Sequence, residues 1–279
     1  IVVFGSTNFK KKFKLSYENI NLFPNPLKSQ TKSYVKKFIQ IQKKFNFSII
    51  EIHNRPSYID LLKKDLNEKV LALYFHNDPL SMDGSKTIKD RKNLLKSCYK
   101  IIFNSNWSKK RFLEGLENKF VNSEKLVVFF QSAKKNNFKI LKEKKKWITF
   151  VGKLNSAKGY DVFAKSIKKI LNKYPDWKAK IIGDEKREKI ILKHKNADVL
   201  GFLNHEKVLK IFKNTSIAVA CSRWEEPFGR TSLEASANGC AVIITNKGGL
   251  PETVTNAKIL NKLNVQNLEL SIKNLIVNS

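Results

Sequence analysis

Residues 216–252, SIAVACSRWEEPFGRTSLEASANGCAVIITNKGGLPE, decide the fold. The apolar run IAVA reads as a buried strand, and the polar loop SRWEEPFG follows it. RTSLEASANG has the composition of a short helix, and CAVIIT is a second buried strand. A Gly-Gly turn then opens a further expected helix. Two short apolar runs on either side of a helix make a β-α-β unit, and such a unit belongs to a parallel sheet. Ligands of parallel sheets bind at the carboxyl ends of the strands, which is where the loop 223–229 falls. Its Trp, two Glu, Pro, Phe and Gly are more specialised than a connector needs.

The same alternation extends outward in both directions. On the amino-terminal side, strands are expected at 1–4, 47–52, 69–75, 99–103 and 126–130, with helices at 30–45, from Pro56 to about 64, 87–97 and 106–116. Residues 132–146, SAKKNNFKILKEKKK, are basic and lack a clear period. A second run holds strands at 147–152, 177–182 and 198–202, with helices at 158–174, 185–195, 205–213 and 265–277. The expected class is α/β, with two doubly wound domains facing a cleft. The boundaries are 1–133 for an amino-terminal domain, 134–146 for a basic linker and 147–279 for a carboxyl-terminal domain. A chain that opens on the apolar run IVVF is expected to begin inside a domain.

Composition narrows the function classes. The chain is 279 residues long, 42% apolar and 11% aromatic, which excludes disorder and favours more than one core. No apolar run approaches the roughly 18–20 residues of a spanning helix. Lys+Arg total 54 against 24 Asp+Glu, a net charge of +30. That excess is read either as general Lys, Asn and Ile enrichment or as a basic face for anionic lipid. Nucleic acid is the least supported partner, because no zinc-knuckle spacing, RNP-like strand or Arg-rich arm is present. Cys98, Cys221 and Cys240 are scattered and read as small buried residues, which favours a reducing, cytoplasmic location.

Several residues could carry chemistry. Glu226 in the loop and Glu234 inside the helix can both face the crevice at the sheet's carboxyl edge. There each would accept two hydrogen bonds from the vicinal hydroxyls of a ribose or hexose. Glu234 also reads as a dipole-favoured acid, and Glu226 as a solvated loop acid. Phe228, Gly229, Arg230 and Thr231 open the helix, where free N–H groups suit a diphosphate. Arg230 also reads as a surface charge. Gly152 and Lys153 follow one strand and Lys158 opens the next helix, so two lysines straddle one strand-to-helix loop and can both reach one diphosphate; they also read as two of the many lysines of this chain. His53, with Asn54, and His76 end two strands of the first domain and read either as cleft residues or as caps. There is no G-x-G-x-x-G, no P-loop spacing, no Asp-x-Asp pair and no His/Cys cluster. Any diphosphate must therefore be neutralised by cationic side chains and helix ends, and no metal or other cofactor is expected.

Taken together, FVGKLNSAKGYD (150–161), KIIGDE (180–185), VLGFLNHEKV (199–208) and EEPFGRTSLEASANGCAVI…GGLPE resemble the GT-B nucleotide-sugar glycosyltransferases, specifically the retaining family 4. Glu226 and Glu234 fit that family's E-x7-E signature, and the first half resembles its acceptor domain more loosely. The resemblance implies that Glu226 binds donor-sugar hydroxyls beside the Phe228 and Gly229 backbone. It places Glu234 on the ribose, Lys153 and Lys158 on the diphosphate, Gly201 and Phe202 beside the base, and His76 near the donor sugar. Lys153 stands where the family often has Arg. The donor would be a nucleoside-diphosphate sugar and the acceptor a saccharide or lipid-linked saccharide, with no protein general base. The family's first strand and Gly-rich loop, and its last crossing helix, are not evident, so truncation at both ends is expected. The rival readings are a GT-B phosphorylase or epimerase, and a basic binding protein without catalysis.

Overall fold

A computed structural model of the chain describes residues 1–6, 16–22, 29–45, 47–133 and 143–278. The chain forms two compact units, Ile1–Asn104 with Ser108–Phe129 and Ser105–Trp107 with Phe130–Ser279. The first unit opens with β1 (Val2–Gly5), paired in parallel with β2 (Ser16–Asn19). Helix α1 (Gln30–Gln42) follows, and then β3 (Ile49–His53), α2 (Ile59–Asp65), β4 (Val70–Phe75), α3 (Ile88–Ser97), β5 (Lys100–Phe103), α4 (Asn106–Leu113) and β6 (Leu126–Val128). Strands β3 to β6 lie side by side in chain order and all pair in parallel.

Strand β4, VLALYF, is an unbroken apolar run because both of its faces are covered. Leu71, Leu73 and Phe75 enter a core with Ile101, Phe103 and Phe112. Thr87 and Asp90 form a reciprocal capping box at the start of α3, which halts the preceding loop there.

The second unit runs β7 (Lys145–Val151), α5 (Tyr160–Lys173), β8 (Lys178–Ile182), β9 (Ala197–Val199), α6 (His205–Asn214), β10 (Thr215–Ala220), α7 (Arg230–Ala237), β11 (Ala241–Thr245), β12 (Lys258–Leu260) and α8 (Val265–Val277). Among the described residues its sheet has the order β12-β11-β10-β7-β8-β9, parallel throughout. From β7 the chain winds outward through β8 and β9, then returns to β10 on the other side of β7. The winding therefore reverses between β7 and β10. Alternate residues of the strands enter different cores. Ile217, Val219 and Ile243 join Phe163 and Ile167 of α5 and Leu268 and Ile272 of α8. Ala218, Val242 and Ile244 join Phe212 of α6 and Ala235 of α7. Helices thus cover both faces, and the chain is α/β with parallel sheets.

Several expected elements are corrected. No helix forms over 185–195, because Glu185 accepts from the Arg187 backbone N–H at 3.1 Å and Glu188 from the Ser156 N–H at 3.0 Å. Such side-chain bonds offer the backbone an alternative to helix. After Gly248-Gly249 there is a single 3₁₀ turn, Leu250–Glu252, rather than a helix. Strand β7 starts at Lys145, so the last two residues of the expected linker belong to the sheet, while its residues 134–142 lie outside those described. Helix α5 begins at Tyr160 after a 3₁₀ turn at Ser156–Lys158. Strands β2 and β12 had no pattern long enough to mark them.

Lys144 joins the start of β7 to two helix ends. Its ammonium donates to Phe212 O and Lys213 O, each at 3.2 Å, and to Asn238 O at 2.6 Å. These carbonyls lie at the carboxyl ends of α6 and α7, where helices leave acceptors unpaired. The Lys144→Met variant is expected to lose about 1–3 kcal/mol of stability. Urea denaturation followed by circular dichroism measures this, and an unchanged midpoint contradicts it.

Candidate functional site

The winding reverses between β7 and β10, the place where parallel sheets take their ligands, and the loops that follow these strands carry Lys158 and Glu226. Those loops are knitted together. The Ala157 carbonyl accepts from Arg223 N at 2.9 Å and Trp224 N at 3.1 Å. The Arg223 guanidinium forms a two-pronged bridge to Asp161 at 2.6 and 2.9 Å. Asn155 caps the turn through Lys158 N at 3.1 Å. In that frame the Lys158 ammonium donates to Glu226 Oε1. The two side chains are 32% and 16% exposed, so the pair is only partly solvated.

The Gly-Gly turn holds the Glu226 loop from its other side. Gly249 N donates to Glu226 O at 2.6 Å, and Gly248 N donates to Glu225 Oε2 at 2.6 Å. Gly248 has φ +59°, and a Cβ there would stand 2.1 Å from the Glu226 carbonyl oxygen. Only glycine fits that approach. Lys247 completes the buttress, with its ammonium 2.9 Å from Glu225 Oε1.

Gly229 caps α7 at φ +117°, and no side chain caps the first-turn N–H groups, among them that of Thr231. Phe228 is buried and packs near Phe130, with ring centroids 6.2 Å apart. Glu234, one turn inside α7, is buried, and its Oε1 accepts from Arg230 at 2.9 Å and from His205 Nε2 at 3.0 Å. Arg230 is thus an intrahelical partner of Glu234 in this structure. His205, at the start of α6, also stands at the site.

Gly152 and Gly201 follow β7 and β9, which flank β8, and are bridged by residues 182 and 183. Gly152 N donates to Ile182 O at 3.0 Å, and Gly183 N donates to Gly201 O at 2.8 Å. Phe202 is 79% exposed beside them. Lys153 is exposed and lines a pocket of about 350 Å³ with Asp184, Glu185, Lys186 and Arg187. The structure therefore does not bring the two lysines into one contact: Lys158 is on Glu226, and Lys153 is on the 184–187 segment.

In the first unit, His53, Asn54 and His76 come together at the carboxyl ends of β3 and β4. His53 Nδ1 and His76 Nε2 share a hydrogen bond of 2.8 Å. Asn54 Oδ1 accepts from His76 N at 2.7 Å and Asn77 N at 3.2 Å, with Asn54 itself at φ +55°. The Tyr74 ring stacks on His76 with centroids 4.3 Å apart. Burial first, and the nearby His53 ring second, hold the His76 imidazole below its usual value of 6.5.

Comparisons of sequence and of fold connect this chain to known proteins. The family model of glycosyl transferases group 1 matches residues 132–279. Spore coat protein SA of Bacillus subtilis (strain 168) is 23% identical over 242 residues, covering 77% of this chain and 64% of that protein. The lipopolysaccharide core biosynthesis mannosyltransferase LpsB of Rhizobium meliloti (strain 1021) is 31% identical over 121 residues, 40% of this chain and 34% of that one. This chain thus spans less than two thirds of either relative. The crystal structure of Anabaena Alr3699/HepE in complex with UDP-glucose superposes with a TM-score of 0.73 at 17% identity, over 95% of this chain and 77% of that one. The fold is that of the GT-B glycosyltransferases. The chain belongs to the glycosyl transferases group 1 family.

The lowered His76 value has a consequence for stability. The unfolded chain takes up a proton near 6.5 and the folded chain resists it, so this contribution is intact above that pH and is lost as pH falls below it. A doubly protonated pair also has no acceptor nitrogen for the shared bond. The wild type is expected to lose more stability between pH 7.5 and 5.5 than His76→Gln does. Urea midpoints at the two pH values test this, and equal losses contradict it.

Proposed function

We propose that the chain transfers a hexose-like unit from a nucleoside-diphosphate sugar to an acceptor hydroxyl, with retention at the anomeric carbon, as a family 4 enzyme bearing an E-x7-E pair at Glu226 and Glu234. The observation that carries this reading is the meeting of Lys158 and Glu226 at the carboxyl ends of β7 and β10, beside the α7 amino terminus. A cation and a helix end suit a diphosphate, and the carboxylate suits the hydroxyls of the attached sugar.

In this reading the bond from the anomeric carbon to the diphosphate oxygen breaks as the acceptor oxygen bonds to the same face. The acceptor's proton passes to the departing phosphate. Lys158 and the Thr231 end of α7 hold the growing negative charge, and Lys153 approaches from the 184–187 side. Glu234, oriented by Arg230 and His205, takes the ribose hydroxyls. Gly201 and Phe202 border the base. Side-chain cations take the place of a divalent metal, so EDTA is expected to leave transfer intact.

Cell-surface polysaccharide or lipopolysaccharide synthesis is the setting we propose, in keeping with the spore coat and lipopolysaccharide relatives. No described helix is long and apolar enough to cross a membrane. The +30 charge supports a peripheral position on the anionic cytoplasmic face, near a lipid-linked or saccharide acceptor.

Two measurements test this function. Among UDP-, GDP- and ADP-sugars, at least one is expected to raise the melting temperature of the wild type, and no shift with any of them contradicts the reading. Lys158→Ala is expected to slow transfer by on the order of 10²–10³, as for a lost electrostatic stabiliser. Turnover equal to wild type would remove that role.

A further inference from the structure

The contact between Lys158 and Glu226 implies more than co-location, an implication that rests on these two loops being the donor site. We propose that Glu226 competes with the diphosphate for Lys158, so that the site discriminates against the spent nucleoside diphosphate and favours the intact nucleotide sugar.

The two side chains share one ion pair. Neither loop is free to drift from it. The Lys158 turn is tied to the 223–224 backbone through Ala157 O, and the Glu226 carbonyl is held by Gly249 N at 2.6 Å. A phosphate that engages Lys158 must therefore share it with a fixed carboxylate or displace that carboxylate.

The cost depends on what else the ligand brings. A nucleotide sugar supplies hydroxyl donors next to its second phosphate, and these satisfy Glu226 when Lys158 turns to the diphosphate. A free nucleoside diphosphate brings none. It also carries about one more negative charge, because the terminal phosphate's second ionisation lies at about pH 6. Glu226 then faces an anion with neither cation nor donor, and like charges at close range repel. Once the sugar has been transferred, the carboxylate retakes Lys158 and the nucleotide leaves. Glu226 would thus act on product release as well as on the sugar.

Glu225 provides the control. It lies one residue away, carries the same charge and is paired with Lys247 and Gly248 N instead. In a chain of net charge +30, removing any carboxylate raises the general attraction for a nucleotide.

Calorimetric titration of wild type, Glu226→Gln, Glu226→Ala and Glu225→Gln with UDP, GDP and ADP and with their glucose or mannose conjugates tests the proposal. Melting curves confirm that each variant folds. Both Glu226 variants are expected to bind the free diphosphate roughly five- to tenfold tighter than wild type, with no such gain for the sugar conjugate. Glu225→Gln is expected to match wild type. Unchanged or weaker diphosphate binding in the Glu226 variants overturns the inference. So does an equal gain for the conjugate, or the same gain in Glu225→Gln. If no nucleotide binds any of the proteins, the donor-site reading itself fails and the inference falls with it.

Discussion

Parallel pairing of β7 with β10 is the constraint on which the second unit depends. These strands are distant in sequence, yet Ile148, Thr149 and Phe150 stand in register with Ile217, Ala218 and Val219. The pairing puts two strand-to-helix loops side by side at one edge of the sheet. Everything placed at the candidate site depends on that adjacency. Ala157 O can receive the 223 and 224 amides only because the strands beneath are neighbours. Lys158 meets Glu226 for the same reason. A sheet buried on both faces supplies the rigidity, since Ile217 and Val219 are held by α5 and α8 while Ala218 is held by α6 and α7.

The first unit uses the same principle with different chemistry. Strands β3 and β4 end together, and His53 pairs with Tyr74 in their ladder. The strand tips carry imidazole and amide groups rather than a lysine and a glutamate. Asn54, at a positive φ, turns its side-chain oxygen onto the His76 and Asn77 amides and so fixes where the His76 ring lies. The stack of Tyr74 on His76 holds it from one side. A half-buried imidazole whose protonation is disfavoured is the result, and a neutral imidazole can accept or donate a hydrogen bond without bringing charge.

Much of this was legible in the residues. Unbroken apolar runs such as VLALYF and IAVA identify strands covered on both faces, and their alternation with helices specifies parallel sheets. The β-α-β reading of 216–252 placed Glu226, Gly229 and Glu234 on a loop and a helix start, as observed. What escaped were features set by partners remote in sequence. KREKIILKHK resembles a helix until Glu185 and Glu188 are spent on local turns and on the loop after β7. Gly248-Gly249 resembles a helix start, yet its function is to let the backbone pass close under Glu226. His205, inside the VLGFLNHEKV block, was not singled out because nothing local indicates that α6 delivers it to Glu234. Arg230 looked like a phosphate ligand, and its i,i+4 spacing to Glu234 was the signal of the pairing that the structure shows.

The central claim is that the loops after β7 and β10, with the start of α7, form the seat of a nucleotide sugar. Hydrogen–deuterium exchange of the chain with and without UDP-glucose and GDP-mannose addresses it most directly. The account predicts slower exchange over residues 153–159, 199–203 and 224–234 with at least one of them, while helices α5 and α8 are unchanged. Protection confined to other segments, or none with either donor, would contradict it.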